Sequence, residues 1–444
     1  MASTYLTRTF GSGNRRKWTY SVWFKLSGRG TGNNNALLVA GTSGQSEGTI
    51  KLSNDIISWS EYNVSTSAVI GQLATTQVFR DYSAWSHLVC VWDSGNSTVG
   101  NRMIMYLNGS RITEYSTDSS PSLNEDSQIN NNSIVHNIGR QSWNSSGLFN
   151  GSMSHIHFSD GYALAPTAFG STDSTTGEWE INIDPSVTYG NNGFWILKNG
   201  NSVTDQSGQG NNWTVGAGTL TKTEDSPSNV FATWNPLQAT TAATYDFVSG
   251  NTRIGANDVA QFSLGATLAA TTGKYYMEMV WAEHGGYDRW GMMPIDASVS
   301  NTPHITGIAW DESAANLYML GNVVSGSWGA NMSTSDIIQI ALDLDNGAFY
   351  LGVNGTWRNS GDPTSGASRT GAANFSATSL FGEDLTFAVG KGNAGTSSWN
   401  ANFGNGYFET VPVSSAGTNA SGNGIFEYDV PTGYTALSTK GLNS

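Results

Sequence analysis

Short apolar segments recur about every ten residues along the chain, and polar turns rich in glycine and asparagine separate them. Many of these segments combine aromatic and β-branched residues, as strands do; the clearest are 18–26 (WTYSVWFKL), 85–92 (WSHLVCVW), 275–281 (YYMEMVW) and 337–344 (IIQIALDL). Asn108-Gly109 and Asn354-Gly355 follow strand-like segments and are typical of type I′ hairpin turns. No long segment has the 3.6-residue apolar period of a helix. The pattern predicts an all-β protein.

The length and composition of the chain predict two domains. A chain of 444 residues is too long for one hydrophobic core, since cores stop growing near ~250–300 residues. The stretch 224–244 carries two of the ten prolines and little periodicity, which favours a linker. We therefore expect two antiparallel β-sandwiches in tandem, at residues 1–223 and 245–444.

The acidic composition and the single cysteine argue against several classes of protein. A net charge of −14 is opposite to the basic surface that nucleic acids require, so no nucleic-acid partner is expected. The sequence has no run of 18 apolar residues and no apolar N-terminal segment, so we expect neither membrane insertion nor a signal peptide. Cys90 has no disulfide partner in the chain, which suits folding in a reducing cytoplasm.

Positive charge is concentrated at the start of the chain. Residues 1–30 contain six of the 20 lysines and arginines and no acid. Arg8, Arg15, Arg16 and Lys17 are therefore candidates for a surface that anchors the protein to an acidic neighbour. The alternative is that these bases sit at strand edges and balance the acids of their own domain.

Acidic residues give little support for catalysis. Glycoside hydrolases need two carboxylates ~5–9.5 Å apart across the sugar. The nearest pattern is Glu178-Trp179-Glu180 followed by Asp184, in which a third acid at the required spacing is missing. We also find no nucleophile elbow and no phosphate loop. The sequence predicts that the protein is not an enzyme.

Metal binding has two weak candidates. The segment 151–158 (GSMSHIHF) alternates with period two, which predicts that Met153, His155 and His157 share one strand face. Packing within a strand explains that pattern better than metal ligation does. The loop 93–101 (DSGNSTVGN) is the one candidate for calcium, but it carries a single acid. We expect no cofactor and no metal, with calcium at this loop as the open alternative.

Aromatic residues in polar loops suggest carbohydrate binding instead. Sugars stack on aromatic faces and hydrogen-bond to nearby amides, acids and backbone groups. The candidate ligand-binding residues are Trp143, Trp310, Trp328, Trp357, Arg358 and Tyr287. The alternative for any single tryptophan is a place in a sandwich core, which most of the 16 must occupy.

Both halves of the chain resemble known β-sandwich families. The first half resembles concanavalin-A-like jelly rolls of the laminin-G type, on the strength of its strands and hairpins; the matching pieces are WTYSVWFKL, WSHLVCVWD, YLNGSRI, NIGR and LFNGSMSHIHFSDGYAL. The second half resembles a SPRY domain; its matching pieces are KYYMEMVW, IALDLDNGAFYLGVNGTW, WNANFGNGYF and FEYDVPTGYTAL. The resemblance implies two jelly-roll-like sandwiches, and in SPRY domains the loops form the ligand face.

The ordered set of motifs resembles virion proteins of tailed phages, cyanophages especially. The set consists of YLTRTFGSGNRRKWTYSVW, YGNNGFWILKN, DQSGQGNNWTV, DSPSNVFATWNPL and PTGYTALSTKGL. It implies a non-enzymatic protein on the outer surface of the virion, made in the host cytoplasm and homo-oligomeric, with other virion proteins as partners. A fibre or adhesin that recognises host surface polysaccharide is the favoured role. A head or tail decoration protein without a ligand and, less favoured, a glycan depolymerase are the alternatives.

Overall fold

The computed structural model describes residues 4–27, 34–41, 46–132, 134–141, 147–198, 200–239, 244–257, 261–299, 303–329 and 332–443. The chain forms two compact units, Met1–Lys222 and Thr223–Ser444. Both are built almost wholly from antiparallel strands, which confirms the predicted all-β class. In the part of the chain that is described, no helix is long and apolar enough to cross a membrane.

The strands of the first unit are joined by short turns and by several longer irregular segments. They are β1 (Tyr5–Thr9), β2 (Lys17–Leu26), β3 (Asn34–Ala40), β4 (Glu47–Ser53), β5 (Ile56–Asn63), β6 (Ala68–Thr75), β7 (Ser86–Asp93), β8 (Met103–Leu107), β9 (Ser110–Arg111), β10 (Tyr115–Ser119), β11 (Val135–Ile138), β12 (Gly151–Asp160), β13 (Gly170–Thr172), β14 (Trp179–Ile181), β15 (Phe194–Ile196) and β16 (Thr214–Ala217).

Two antiparallel sheets enclose the core of the first unit. The larger has the order β10-β6-β5-β4-β3-β11-β1-β16, and the smaller has the order β15-β12-β2-β7-β8-β9. Alternate residues of β2 point between the sheets, as a period-two strand requires. Trp18 of β2 meets Trp59 of β5 and Trp92 of β7 there, with ring centroids 5.2 and 6.4 Å away. These rings bury a large apolar area at the centre of the sandwich.

The smaller sheet is covered on its outer face as well. Val89 and Val91 point away from the central core and pack against Phe169, in the segment that follows β12. His87 lies on the same outer face between two indole rings, 4.7 Å from Trp23 and 5.9 Å from Trp179. Because both faces of this sheet are covered, the sequences of β2 and β7 are nearly continuous apolar runs and do not alternate between apolar and polar residues.

A β-bulge in β12 overturns one expectation from the sequence. The register of β12 against β2 shifts between Ser154 and His157, and His155 has a φ of 45°. Because the extra residue interrupts the alternation, Met153 packs against the central core whereas His157 points to the outer face beside Phe169. The prediction that Met153, His155 and His157 share one face is therefore wrong.

The strands of the second unit form another pair of sheets. They are β17 (Thr244–Val248), β18 (Arg253–Asn257), β19 (Phe262–Gly265), β20 (Lys274–Glu283), β21 (Asp288–Pro294), β22 (Ile308–Asp311), β23 (Asn316–Met319), β24 (Asn322–Val323), β25 (Ile337–Asp343), β26 (Ala348–Val353), β27 (Thr356–Trp357), β28 (Ala373–Asn374), β29 (Leu385–Lys391), β30 (Ser397–Asn402), β31 (Tyr407–Phe408), β32 (Val411–Pro412) and β33 (Thr435–Ala436). The short helices are α1 (Pro303–Thr306) and α2 (Thr439–Leu442).

The sheets of the second unit have the orders β17-β18-β30-β20-β25-β26-β27 and β19-β29-β21-β22-β23-β24. The core between them contains Trp234, Trp290, Trp310 and Trp399, all fully buried. The C-terminal segment covers the outer face of the first of these sheets, where Phe426 packs on Tyr276 at 4.9 Å. The second unit therefore also has more than two layers.

The predicted linker is part of the second unit. Trp234 is fully buried in its core, and its backbone N–H donates to the carbonyl of Asn251 at 2.9 Å. The N–H of Ala232 donates to the carbonyl of Leu437, also at 2.9 Å. The segment 224–239 lacks periodicity because it packs as an irregular strand segment against several elements, and not because it is a free connection.

Candidate functional site

The tryptophans proposed for ligand binding are mostly unavailable to a ligand. Trp310 and Trp328 are 1% and 3% exposed and belong to the core of the second unit. Their rings offer no face to a sugar, which corrects the expectation for both positions. Trp143 lies outside the described residues.

Trp357 and Arg358 are partly exposed and belong to a packed corner. The Trp357 ring packs edge-on against Tyr276 and Tyr350, each with a centroid distance of 6.4 Å. The Arg358 guanidinium lies close to Gly329, where a Cβ would come within 2.3 Å of its Nη1 atom. Trp357 is therefore packed within the second unit, and both residues remain partly exposed.

Tyr287 is an exposed aromatic residue, as the sequence suggested. Its side chain is 45% exposed, and its backbone adopts a φ of 58° in the turn before β21. The Tyr287 N–H donates to Glu312 Oε2 at 3.2 Å, and His284 Nε2 lies 3.3 Å from Glu312 Oε1. Tyr287 thus remains a candidate contact, in a turn that is tied to the β22–β23 loop.

The basic residues of the N-terminal segment are bound within the first unit. Arg16 Nε lies 2.8 Å from Asp126 Oδ1, and Lys17 Nζ lies 3.3 Å from Asp93 Oδ2. Arg15 Nε donates to a backbone carbonyl at 2.8 Å, and the Arg8 guanidinium contacts Asn192 and Asn211. These contacts favour the alternative in which the bases balance acids of their own domain.

Cationic side chains hold the loop that was considered for calcium. Arg102 Nε donates to the carbonyl of Asn96 at 2.9 Å, and Arg111 Nη1 donates to Asn101 Oδ1 at 2.9 Å. The one acid of the loop, Asp93, is paired with Lys17. The oxygens that calcium would need are therefore engaged by cations. In the described part of the chain, no three His, Cys, Asp or Glu side chains form a group suited to a metal ion.

Two glutamates with raised pKa values are buried in the fold. Desolvation raises the pKa of Glu61 to about 7 in the first unit, although Gln128, Trp59 and Ser127 donate hydrogen bonds to it. Desolvation likewise raises the pKa of Glu278 to about 7 in the second unit. Their partners are backbone and side-chain groups of the fold, and both carboxyl groups are fully buried. Their arrangement is structural.

An open groove of about 510 Å³ lies where three polar turns of the first unit meet. The first turn joins β1 to β2, the second follows β12, and the third precedes β15. Its lining consists of small residues, amides and one aromatic ring: Ser12, Gly13, Asn14, Asp160, Gly161, Tyr162, Gly190 and Asn191. We call this feature the three-turn groove.

Asp160 joins the three turns from beneath the groove. Its Oδ1 atom accepts hydrogen bonds from the Asn14 backbone N–H and from Asn130 Nδ2, both at 2.7 Å. Its Oδ2 atom accepts from the Asn192 N–H at 3.0 Å. Asn192 Nδ2 in turn donates to Asn130 Oδ1 at 2.7 Å. A charged acceptor that collects several donors fixes the relative position of chain segments that are far apart in sequence.

Glycine is required at two positions of this groove by close packing. A Cβ on Gly13 would come within 2.5 Å of Asn192 Nδ2 and 2.6 Å of Asn130 Oδ1. Gly190 has a φ of 69°, and its Cβ would lie 2.1 Å from the carbonyl oxygen of Asp160. Both turns can approach the Asp160 network only without a side chain, so the groove is formed before a ligand arrives.

The open side of the groove presents an aromatic ring among amides and hydroxyls. Tyr162 is 42% exposed, and Ser12, Asn14 and Asn191 are exposed around it. An aromatic face with neighbouring hydrogen-bonding groups suits a sugar ring. Tyr162 was not singled out from the sequence. The available signal was that three glycine-containing turns each adjoin a strand with aromatic residues: GSGN at 11–14, DGY at 160–162 and YGNN at 189–192.

Comparison with known proteins agrees with this fold. A family model described as the concanavalin A-like lectin/glucanases superfamily, of the laminin-G type, matches residues 2–168. This match confirms the predicted similarity for most of the first unit. No curated protein matches the chain.

Among solved structures, the SPRY domain of human HERC1 is 14% identical, with a TM-score of 0.29; the alignment covers 38% of this chain and 96% of that domain. The heptameric SAP-like pentraxin from Limulus polyphemus is also 14% identical, with a TM-score of 0.29, and the alignment covers 49% of this chain and 91% of that chain. The chain is thus similar to a lectin and glucanase superfamily over residues 2–168, and SPRY and pentraxin structures are among its neighbours.

Proposed function

We propose that this protein is a non-enzymatic surface protein of a tailed-phage virion that binds glycans on the host, and that the three-turn groove is the contact. The groove carries the glycan part of the proposal, because it joins an exposed ring to exposed amides on a preformed floor. The superfamily matched by residues 2–168 is named for lectins as well as glucanases. The ordered motif set in the sequence supports the phage part.

The groove favours binding over hydrolysis. A glycoside hydrolase of the usual kind needs two carboxylates flanking the bond to be cleaved. Among the described residues that line the groove, Asp160 is the only acid, and both of its oxygens already accept hydrogen bonds from the protein. Glu178 and Glu180, the pair considered from the sequence, lie on either side of Trp179, whose indole donates to His87 at 3.0 Å. They are exposed on a covering hairpin.

The test combines particle assembly with adsorption. Phage carrying Tyr162→Ala in this protein should assemble and contain the protein at normal copy number, because the side chain is exposed, but should adsorb to host cells more slowly. Phe381→Ala is a matched control, since that ring is 45% exposed in the second unit and belongs to no candidate site. If both variants adsorb normally, the glycan-binding proposal is refuted and the role of a decoration protein without a ligand remains. If the particles lack the Tyr162→Ala protein, the three-turn groove is a surface needed for assembly.

A further inference from the structure

We infer that the three-turn groove selects an uncharged, hydroxyl-rich sugar unit over an anionic one. This inference rests on the proposed glycan-binding function and adds the chemical class of the ligand. It follows from three features of the site: the neutral open face, the buried Asp160 carboxylate beneath the floor, and the internal partners of the cations in the adjoining segment.

The exposed side chains on the open face of the groove carry no formal charge. Ser12, Asn14 and Asn191 contribute hydroxyl and amide groups, and the glycines leave backbone groups accessible between them. Such groups can donate and accept, as sugar hydroxyls do. Tyr162 adds a ring for the apolar face of a pyranose. None of these groups compensates a carboxylate, sulfate or phosphate on the ligand.

The one charge in the lining is negative and is held below the surface. Asp160 is buried, and its three short hydrogen bonds all come from segments of the protein. An anionic ligand in the groove would be repelled by this carboxylate, and partial burial strengthens such repulsion relative to water. A neutral ligand meets no such penalty. Asp160 is thus a positioning residue that also disfavours anions.

The cations of the adjoining segment are engaged within the first unit. Arg15, Arg16 and Lys17 follow Asn14 in sequence; Arg15 Nε donates to the Ser127 carbonyl at 2.8 Å, Arg16 pairs with Asp126 and Lys17 pairs with Asp93. An anionic sugar would have to compete with these partners to gain a cation. The electrostatic potential of the whole chain also disfavours anionic polymers, because its net charge of −14 repels them.

The experiment measures binding of the full-length protein to immobilised polysaccharides of both classes. Dextran, mannan and galactan are the neutral probes, and alginate, polygalacturonate and heparin are the anionic probes. Four variants are compared with the wild type: Tyr162→Ala, Tyr162→Phe, the double variant Arg16→Gln/Lys17→Gln, and Phe381→Ala as the control. Melting temperatures of all variants establish that each is folded.

The expected result is saturable binding to at least one neutral polymer. Tyr162→Ala should weaken it about tenfold, whereas Tyr162→Phe, which keeps the ring, should stay within about twofold of the wild type. The Arg16/Lys17 double variant and Phe381→Ala should bind like the wild type. Added salt should have little effect, since no ion pair forms with the ligand.

Three other outcomes would overturn the inference and are distinguishable. Binding to anionic polymers alone, lost in the Arg16/Lys17 variant, would leave a glycan-binding protein with the opposite ligand class. Neutral binding that survives Tyr162→Ala would move the site out of this groove while the proposed function stands. Absence of binding to every polymer and to host cells would overturn the proposed glycan function together with this inference.

Discussion

Raising the pH from 5 to 8 is expected to destabilise the first unit through one buried carboxyl group. Glu61 of β5 is 0% exposed and points into the core beside Trp59. Its oxygens accept hydrogen bonds from the Gln128 N–H at 2.7 Å, from Ser127 Oγ at 3.0 Å and from Trp59 Nε1 at 3.3 Å. These donors lower the pKa of Glu61, but desolvation outweighs them and raises it from 4.5 to about 7.

The sign and size of the effect follow from linkage. The pKa of Glu61 is higher in the folded than in the unfolded chain, so between pH 4.5 and 7 the folded state binds more protons. Stability contributed by Glu61 is complete below pH 4.5 and is lost as the pH rises through about 7. A difference of this size corresponds to about 3 kcal/mol, which is large against the 5–15 kcal/mol that typically stabilise a domain.

The variant Glu61→Gln isolates this contribution. The amide keeps the shape and stays uncharged, but one of the three donors then faces an NH₂ group, at a pH-independent cost of about 1 kcal/mol. The measurement is hydrogen exchange of β4 and β5 in the full-length protein at increasing urea, from pH 5 to 8, which reports the unfolding free energy of the first unit. The wild type should be the more stable protein at pH 5 and the less stable one at pH 8.

A matched control separates Glu61 from general effects of pH. Glu278→Gln removes the equivalent buried carboxyl group of the second unit, where the pKa is also about 7, and should leave the exchange of β4 and β5 unchanged. Parallel pH profiles for wild type and Glu61→Gln would refute the reasoning. They would mean that the Glu61 carboxylate is as well solvated by its three donors as it is by water.

Three further predictions concern packing and ions. Trp328→Ala should destabilise the second unit by about 3–5 kcal/mol in urea unfolding, because a large side chain is removed from the core; an exposed Trp328 would give almost no change. Gly13→Ala should destabilise the first unit by roughly 1–3 kcal/mol because its Cβ meets the Asn192 amide. Gly100→Ala, which has open space around the new Cβ, should be neutral, and thermal melting of both variants measures the difference. Millimolar calcium or a chelator should leave the melting temperature unchanged, because Arg102 holds the 93–101 loop; a calcium-dependent rise would reveal a site there.

The strands and hairpins were predictable because their signals are local. The Asn108-Gly109 turn joins β8 to β9 with φ angles of 45° and 78°, the left-handed values that the sequence pair favours. The Asn354-Gly355 turn does the same between β26 and β27, with φ angles of 48° and 80°. In such cases the residues that decide the structure are neighbours in the chain, so no knowledge of the tertiary fold is needed.

The burial of individual tryptophans was not predictable, because it depends on residues that are distant in the sequence. The segment around Trp328 (SGSWGAN) has the composition of an exposed loop, yet its ring belongs to the core of the second unit. Similarly, the segment around Trp234 has the composition of a linker and is packed across several strands. Whether a ring in an irregular segment is buried depends on which distant element covers it, and sequence periodicity carries no information about that choice.

The three-turn groove was likewise not predictable from the sequence. Its turns come from residues 11–14, 160–162 and 189–192, and each one alone is an ordinary polar turn that contains glycine. They come together because Asp160 accepts donors from the Asn14 and Asn192 backbones on either side. Since the groups proposed to bind the sugar belong to turns that this network fixes, binding there should cost little conformational entropy. The contact between the three turns depends on residues about 150 positions apart, so no local sequence pattern could predict it.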